Sequence, residues 1–191
     1  MDGYTSIVEK ILAHPSIEVH LGKRFNPPLQ SKEYDHVFWS GPLDAWFNYS
    51  QGRLGYRTLV FERFKAQGDY QGTAVINYCE EKMPYTRNSE HKHFAPWEQH
   101  ENSICFQEYS KLTEGGDVPY YPLRLRKDKE ILAKYIQLAE QEKNVTFMGR
   151  LGTYRYLDMH QVIGESLDLS KKCLTTNWDC EHWPSFSVRP L

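Results

Sequence analysis

Between Leu54 and Tyr109 the chain changes character, and that change narrows the folds open to it. Four stretches there, Leu54–Phe64, Gly72–Cys79, Tyr85–Phe94 and Ser103–Tyr109, are rich in β-branched and aromatic residues, with Gly, Pro and acidic turns between them. Such residues suit a pleated, half-buried surface. Their regular spacing predicts an antiparallel sheet. The flanks follow a different pattern. Tyr4, Ile7, Val8, Ile11 and Leu12 recur at helical spacing until His14-Pro15. Asp128 is expected to cap a helix reaching about Lys143, with Ile131, Leu132, Tyr135, Leu138 and Ala139 on one stripe. Another helix is expected over Asp158–Leu167. Short strands are expected at Ile17–Leu21, at His36–Ser40 before the tight Ser40-Gly41-Pro42 turn, and at Asn144–Gly149. The chain is therefore expected to be α+β, with antiparallel sheet interrupting an α/β domain. Periodicity is lost after Ser170, so Lys171–Leu191 is expected to be a poorly ordered tail.

Composition excludes several classes. Hydrophobic residues at 40% and charged residues at 25% are ordinary for a globular chain. A net charge of -2 with interspersed signs gives no duplex-sized basic surface, so no nucleic-acid partner is expected. No apolar run approaches a membrane span, and Met1–Lys10 lacks a secretory h-region. The four cysteines, Cys79, Cys105, Cys173 and Cys180, fit no zinc or disulfide framework. A reducing, cytoplasmic setting is expected.

Several residue groups have chemical potential. Arg57 and Arg87 lie in predicted strands, each near a tyrosine. A guanidinium fork matches phosphate oxygens, so two converging forks could clamp a diphosphate; two surface ion pairs are the alternative. Tyr120-Tyr121 and Tyr156-Leu157-Asp158 are Tyr-rich turns that could serve packing or a ligand. His91 and His93 would share one face of a strand, but no acidic or cysteine partner follows at ligand spacing, so no metal is expected. Neither GxGxxG nor GxxxxGK[ST] occurs, so the main phosphate loop of any bound dinucleotide must lie elsewhere.

An ordered set of motifs carries a resemblance. Gly-Tyr-Thr stands at 3–5, Ile-Glu-Val at 17–19 and Ser-Gly-Pro-Leu-Asp at 40–44. Tyr-Arg-Thr-Leu follows at 56–59, Gln-Gly-Thr-Ala-Val-Ile-Asn-Tyr at 71–78, Pro-Tyr-Thr-Arg at 84–87 and Glu-His-Lys-His-Phe at 90–94. Gly-Asp-Val-Pro-Tyr-Tyr-Pro occupies 116–122, and Gly-Arg-Leu-Gly-Thr-Tyr-Arg-Tyr-Leu-Asp-Met-His-Gln-Val-Ile occupies 149–163. Over residues 3–168 the chain resembles the C-terminal half of the UDP-galactopyranose mutase family.

The resemblance implies an antiparallel substrate domain inserted in the C-terminal part of a Rossmann-like FAD-binding domain. Applied to this chain, 1–48 and 144–169 would belong to the FAD-binding domain, 49–143 to the substrate domain with its following helix, and 170–191 to the tail. It implies an isomerase that interconverts UDP-galactopyranose and UDP-galactofuranose through a sugar adduct on N5 of reduced FAD, serving cell-surface polysaccharide synthesis. Arg57 and Arg87 would bind the diphosphate and sugar and stabilise charge on departing UDP. Tyr121 and Tyr156 would touch the diphosphate, Asn77 the sugar pocket, and Glu108 would be a carboxylate near it. Val19, Ser40, Gly41, Arg150, Tyr156, Asp158 and Met159 would line the FAD. The family's N-terminal half, with its flavin loop and helical dimer contacts, has no counterpart in these residues. The isolated chain is thus expected to hold FAD weakly and to be inactive. A non-catalytic sugar-nucleotide module and a truncated remnant are the alternatives.

Overall fold

Val37–Trp39 (β1) and Val145–Phe147 (β7) form a two-stranded parallel sheet, in the computed structural model of this chain. The structure describes residues 3–175, 179 and 183–191. These residues combine helices with a second, antiparallel sheet of five strands. They divide into two compact units, one of Met1–Phe25 and Phe61–Gln107, the other of Asn26–Val60 and Glu108–Leu191.

The second unit holds the parallel pair. β7 is buried throughout, as befits a short apolar strand covered on both faces. Helix α3 (Leu43–Trp46) follows the Ser40-Gly41-Pro42 turn, and α4 (Arg126–Ala139) supplies Leu132, Tyr135, Ile136 and Ala139 to the core. Trp46 meets Phe147 edge-on at 5.5 Å, and Phe47 stacks on Tyr135 at 5.7 Å. Helix α5 (Gly149–Gly152) leaves β7 directly, and α6 (Met159–Thr175) follows. At Gly152 an added Cβ would lie 2.6 Å from the Trp39 carbonyl oxygen, so the close passage of α5 over the end of β1 requires glycine.

The antiparallel sheet has the hydrogen-bonded order β3-β4-β5-β2-β6. Its strands are β2 (Tyr56–Gln67), β3 (Val75–Asn77), β4 (Arg87–Glu90), β5 (Asn102–Leu112) and β6 (Tyr121–Pro122). The long strands β2 and β5 match the aromatic and β-branched runs expected there. The first unit contains α1 (Gly3–Leu12), the expected N-terminal helix. The second unit further contains the short α2 (Pro27–Gln30).

Four expectations need correction. Ile17, Val19 and Leu21 form no strand; all three are exposed, and no strand among the described residues pairs with them. His91–Phe94 is a 3-10 turn, which ends the strand expected to run through it. Asp128 does not cap α4 but sits in its first turn. Its carboxylate accepts the N–H groups of Leu125 at 2.9 Å and Gly55 at 3.2 Å, reaching back past the helix start. The tail is partly ordered: α6 continues to Thr175, and Phe186 bridges Phe147. Phe147 donates to the Ser185 carbonyl at 2.8 Å and accepts from Ser187 N–H at 2.9 Å. The open edge of β7 thereby gains partners for its backbone groups, a stronger pull than the loss of periodicity indicated.

Candidate functional site

In the second unit, strand register brings an arginine and a tyrosine from distant stretches together. Arg57 on β2 lies directly opposite Tyr121 on β6, so both side chains stand on one face of the sheet. Tyr120 N–H donates to the Arg57 carbonyl at 2.9 Å and closes that pairing. The Arg57 guanidinium is braced from β5: Nε donates to Ser110 Oγ at 2.6 Å, and a terminal nitrogen donates to the Ser110 carbonyl at 2.9 Å. Glu108, two residues along β5 from Ser110, shares its face of the strand.

Tyr121 stacks on Tyr156, with ring centres 5.4 Å apart and planes 17° from parallel. Tyr156 is 61% exposed, so the stack opens to solvent. Arg150 covers both rings, its Cζ 4.8 Å from the Tyr121 centre and 5.1 Å from that of Tyr156. Nearby backbone is strained: Arg124 and Tyr154 hold φ of 55° and 47°, in the left-handed region that costs non-glycine residues about 1–2 kcal/mol each. Tyr154 is held there by its buried ring and by its hydroxyl, which donates to the Gly55 carbonyl at 2.6 Å. Burial pushes the Tyr154 phenol up to about 12, which keeps that donor protonated.

The expected cofactor residues of this unit gather where β1 and β7 end. Ser40 and Gly41 form the turn after β1, and Met148 N–H donates to the Trp39 carbonyl at 2.9 Å. Gly149, at φ 70°, lies between Ser40 and Val162 of α6; an added Cβ would sit 3.8 Å and 3.9 Å from them. Asp158 and Met159 open α6 and are exposed, as is Ser40. Ligands of open α/β sheets commonly bind at such carboxyl ends of parallel strands. Val19 belongs to the other unit and is exposed in an irregular segment.

In the first unit, Asn77 on β3 lies opposite Arg87 on β4, and Arg87 Nε donates to Asn77 Oδ1 at 2.9 Å. The same unit contains a polar knot that sequence patterns did not reveal. Glu90 is fully buried. Its carboxylate accepts backbone N–H groups from Tyr70, Gln71 and Gly72 at 3.0, 2.8 and 3.2 Å, and the Ser103 hydroxyl. Burial opposes its charge, but those donors prevail and hold the Glu90 carboxyl at about 2. His93 does have acidic neighbours, contrary to the expectation from spacing: its Nε2 lies 3.0 Å from Asp69 and 3.5 Å from Glu90. Ligand atoms of Asp69, Glu90 and His93 lie within 4.8 Å of one another, a separation that could suit a metal. However, both Glu90 oxygens already carry donors, and Lys92 Nζ lies 2.7 Å from Asp69. The cluster supplies its own cation.

The sequence profile of UDP-galactopyranose mutases matches residues 1–156. The chain belongs to the UDP-galactopyranose mutase family. A protein of Klebsiella pneumoniae named Probable UDP-galactopyranose mutase is 52% identical over 97% of this chain and 48% of its own length. The dTDP-fucopyranose mutase of Escherichia coli is 46% identical over 92% of this chain and 48% of its own length. The chain thus spans about half the length of these curated relatives. Among solved structures, a reduced UDP-galactopyranose mutase is similar in fold, with a TM-score of 0.50 at 13% identity, covering 64% of this chain and 37% of that one. The family is one of isomerases. No helix among the described residues is long and apolar enough to cross a membrane.

Among the residues the mutase resemblance selects, register joins Arg57 to Tyr121, stacking joins Tyr121 to Tyr156, and a hydrogen bond joins Asn77 to Arg87. Ser110 was missed. Only the alternation along β5 hinted that it shares a face with Glu108.

Proposed function

We propose that this chain carries the sugar-nucleotide side of a mutase that interconverts UDP-galactopyranose and UDP-galactofuranose, with reduced FAD as cofactor. The observation that carries the proposal is the shared face of Arg57 and Tyr121, extended by the Tyr121–Tyr156 stack. Together they offer a braced cation and two phenols to a pyrophosphate. Opening the bond between anomeric carbon and pyrophosphate leaves negative charge on UDP. A pre-oriented guanidinium stabilises that charge more as it grows, which lowers the barrier as well as aiding binding. Arg57 takes that role in the second unit, with Glu108 near the sugar. Arg87 takes it in the first unit, with Asn77 positioned beside it.

The residues at the ends of β1 and β7 fit one side of a flavin site in a Rossmann-like domain. Ser40 offers an exposed hydroxyl, Asp158 an exposed carboxylate and Met159 an apolar side chain, beside the turn at Gly41. Arg150 and Tyr156 flank them, and Val19 is the cofactor-side residue of the first unit. FAD, when bound, supplies an electron-rich ring nitrogen as nucleophile toward the anomeric carbon. The phosphate-cradling glycine loop is not in this sequence, so these residues alone should hold FAD weakly. The named relatives act on UDP- and dTDP-sugars, which share the pyrophosphate that the assigned residues would grip.

Calorimetric titration with UDP tests the proposal. Binding should weaken by on the order of tenfold in Arg87→Ala, the loss of one charged hydrogen-bonding group. Unchanged affinity in that variant would remove Arg87 from the site. The purified 191-residue chain should be colourless and should not turn over UDP-galactofuranose; a yellow, active preparation would contradict the one-sided flavin site.

A further inference from the structure

Arg150 spends its polar atoms on the chain itself. Nε donates to the Leu157 carbonyl at 2.7 Å, and one terminal nitrogen makes a second, short bond to the same oxygen. The other terminal nitrogen donates to the Tyr120 carbonyl at 3.3 Å. These two acceptors lie one residue from Tyr156 and one residue from Tyr121. The guanidinium therefore fastens the two segments that carry the stacked phenols, and its Cζ lies over both rings within the distance of cation–π attraction. The fastening continues along the backbone. Arg155 N–H donates to the Arg150 carbonyl at 3.0 Å, which closes the loop leading to Tyr156. Tyr120 N–H donates to Arg57, which carries the link to the proposed phosphate-binding arginine.

We propose that Arg150 is a positioning residue: it staples Tyr121 and Tyr156 into one phenol stack and acts on a sugar-nucleotide diphosphate through them. The consequence for the ligand rests on the function proposed above, whereas the staple itself does not. Lysine could keep the charge but could not span both carbonyls with a rigid planar fork. The staple is thus a test of shape as well as of charge.

The experiment uses the full chain with labelled tyrosine rings, observed by NMR, and UDP as ligand. In Arg150→Lys and Arg150→Ala, the ring signals of Tyr121 and Tyr156 should shift together, while that of buried Tyr135 stays in place. UDP affinity should fall on the order of tenfold in Arg150→Lys. Adding Arg150→Lys to a Tyr121→Phe, Tyr156→Phe chain should cost little more, because the staple then has no phenol hydroxyls to place. Unmoved ring signals, or losses that simply add, would overturn the proposal. So would disappearance of the folded Tyr135 signal in Arg150→Lys, which would mark a general stability role. If wild-type chain fails to bind UDP while both ring signals still move, the staple stands and the proposed function falls.

Discussion

The Glu90 knot in one unit and the tyrosine stack in the other are both polar clusters, and they are built in opposite ways. Glu90 is wholly buried, and its carboxylate takes four donors from the chain. The stack leaves Tyr156 61% exposed and lies near residues held at positive φ. Saturation stabilises a fold, since a buried charge with every lone pair engaged keeps its geometry. Openness beside strained backbone serves a ligand, because the chain accepts local strain to present groups it does not itself use.

The largest expected effect tests the first half of the contrast. Glu90→Ala should lower unfolding free energy by about 3 kcal/mol in urea titration, because it strands several buried donors. The pH dependence has a defined sign. The folded carboxyl titrates at about 2, below its ordinary 4.5, so its stabilisation is complete above pH 4.5 and disappears as pH falls toward 2. The stability gap between wild type and Glu90→Gln should close over that window. A gap that persists to pH 2 would break the contrast.

Gly152→Ala comes next. The new methyl would meet the Trp39 carbonyl, and backbone cannot swing aside as a side chain can. A loss of about 1–3 kcal/mol is expected in the same unfolding measurement. No loss would mean that α5 does not pass β1 as closely as described, which would loosen the floor under Arg150.

The smallest stability effect belongs to the stack. Tyr121→Phe should change unfolding free energy by less than about 0.5 kcal/mol, since it keeps the ring contact and removes only a hydroxyl. Its UDP affinity should nonetheless fall by on the order of tenfold. A stability loss matching that of Glu90→Ala, with unchanged UDP binding, would place the stack with the structural clusters.

Sequence patterns disclosed the strands with strong side-chain signals and the turns that end them. β2 and β5 announced themselves through Tyr, Phe, Val and Ile, and Ser40-Gly41-Pro42 marked the end of β1. β6 did not, because two residues with one proline carry no periodicity. Yet β6 sets Tyr121 opposite Arg57, the pairing on which the proposed site rests. The motif resemblance selected those residues individually, whereas register and stacking are properties of the folded backbone. Glu90 was hidden for a related reason: its donors come from 70–72 and Ser103, and no local pattern links them. The alternation Ile17, Val19, Leu21 misled because a strand also needs a partner. The main-chain acceptors of Arg150, the Leu157 and Tyr120 carbonyls, were hidden too, since no residue type marks a carbonyl as an acceptor.

Arg57 is the most direct test. Calorimetry should compare UDP with UMP on wild-type and Arg57→Ala chains. Wild type should prefer UDP, while Arg57→Ala should lose UDP affinity by on the order of tenfold or more, and its preference over UMP should shrink. Equal UDP affinity in both chains, with the preference intact, would show that the Arg57–Tyr121 face does not hold a pyrophosphate.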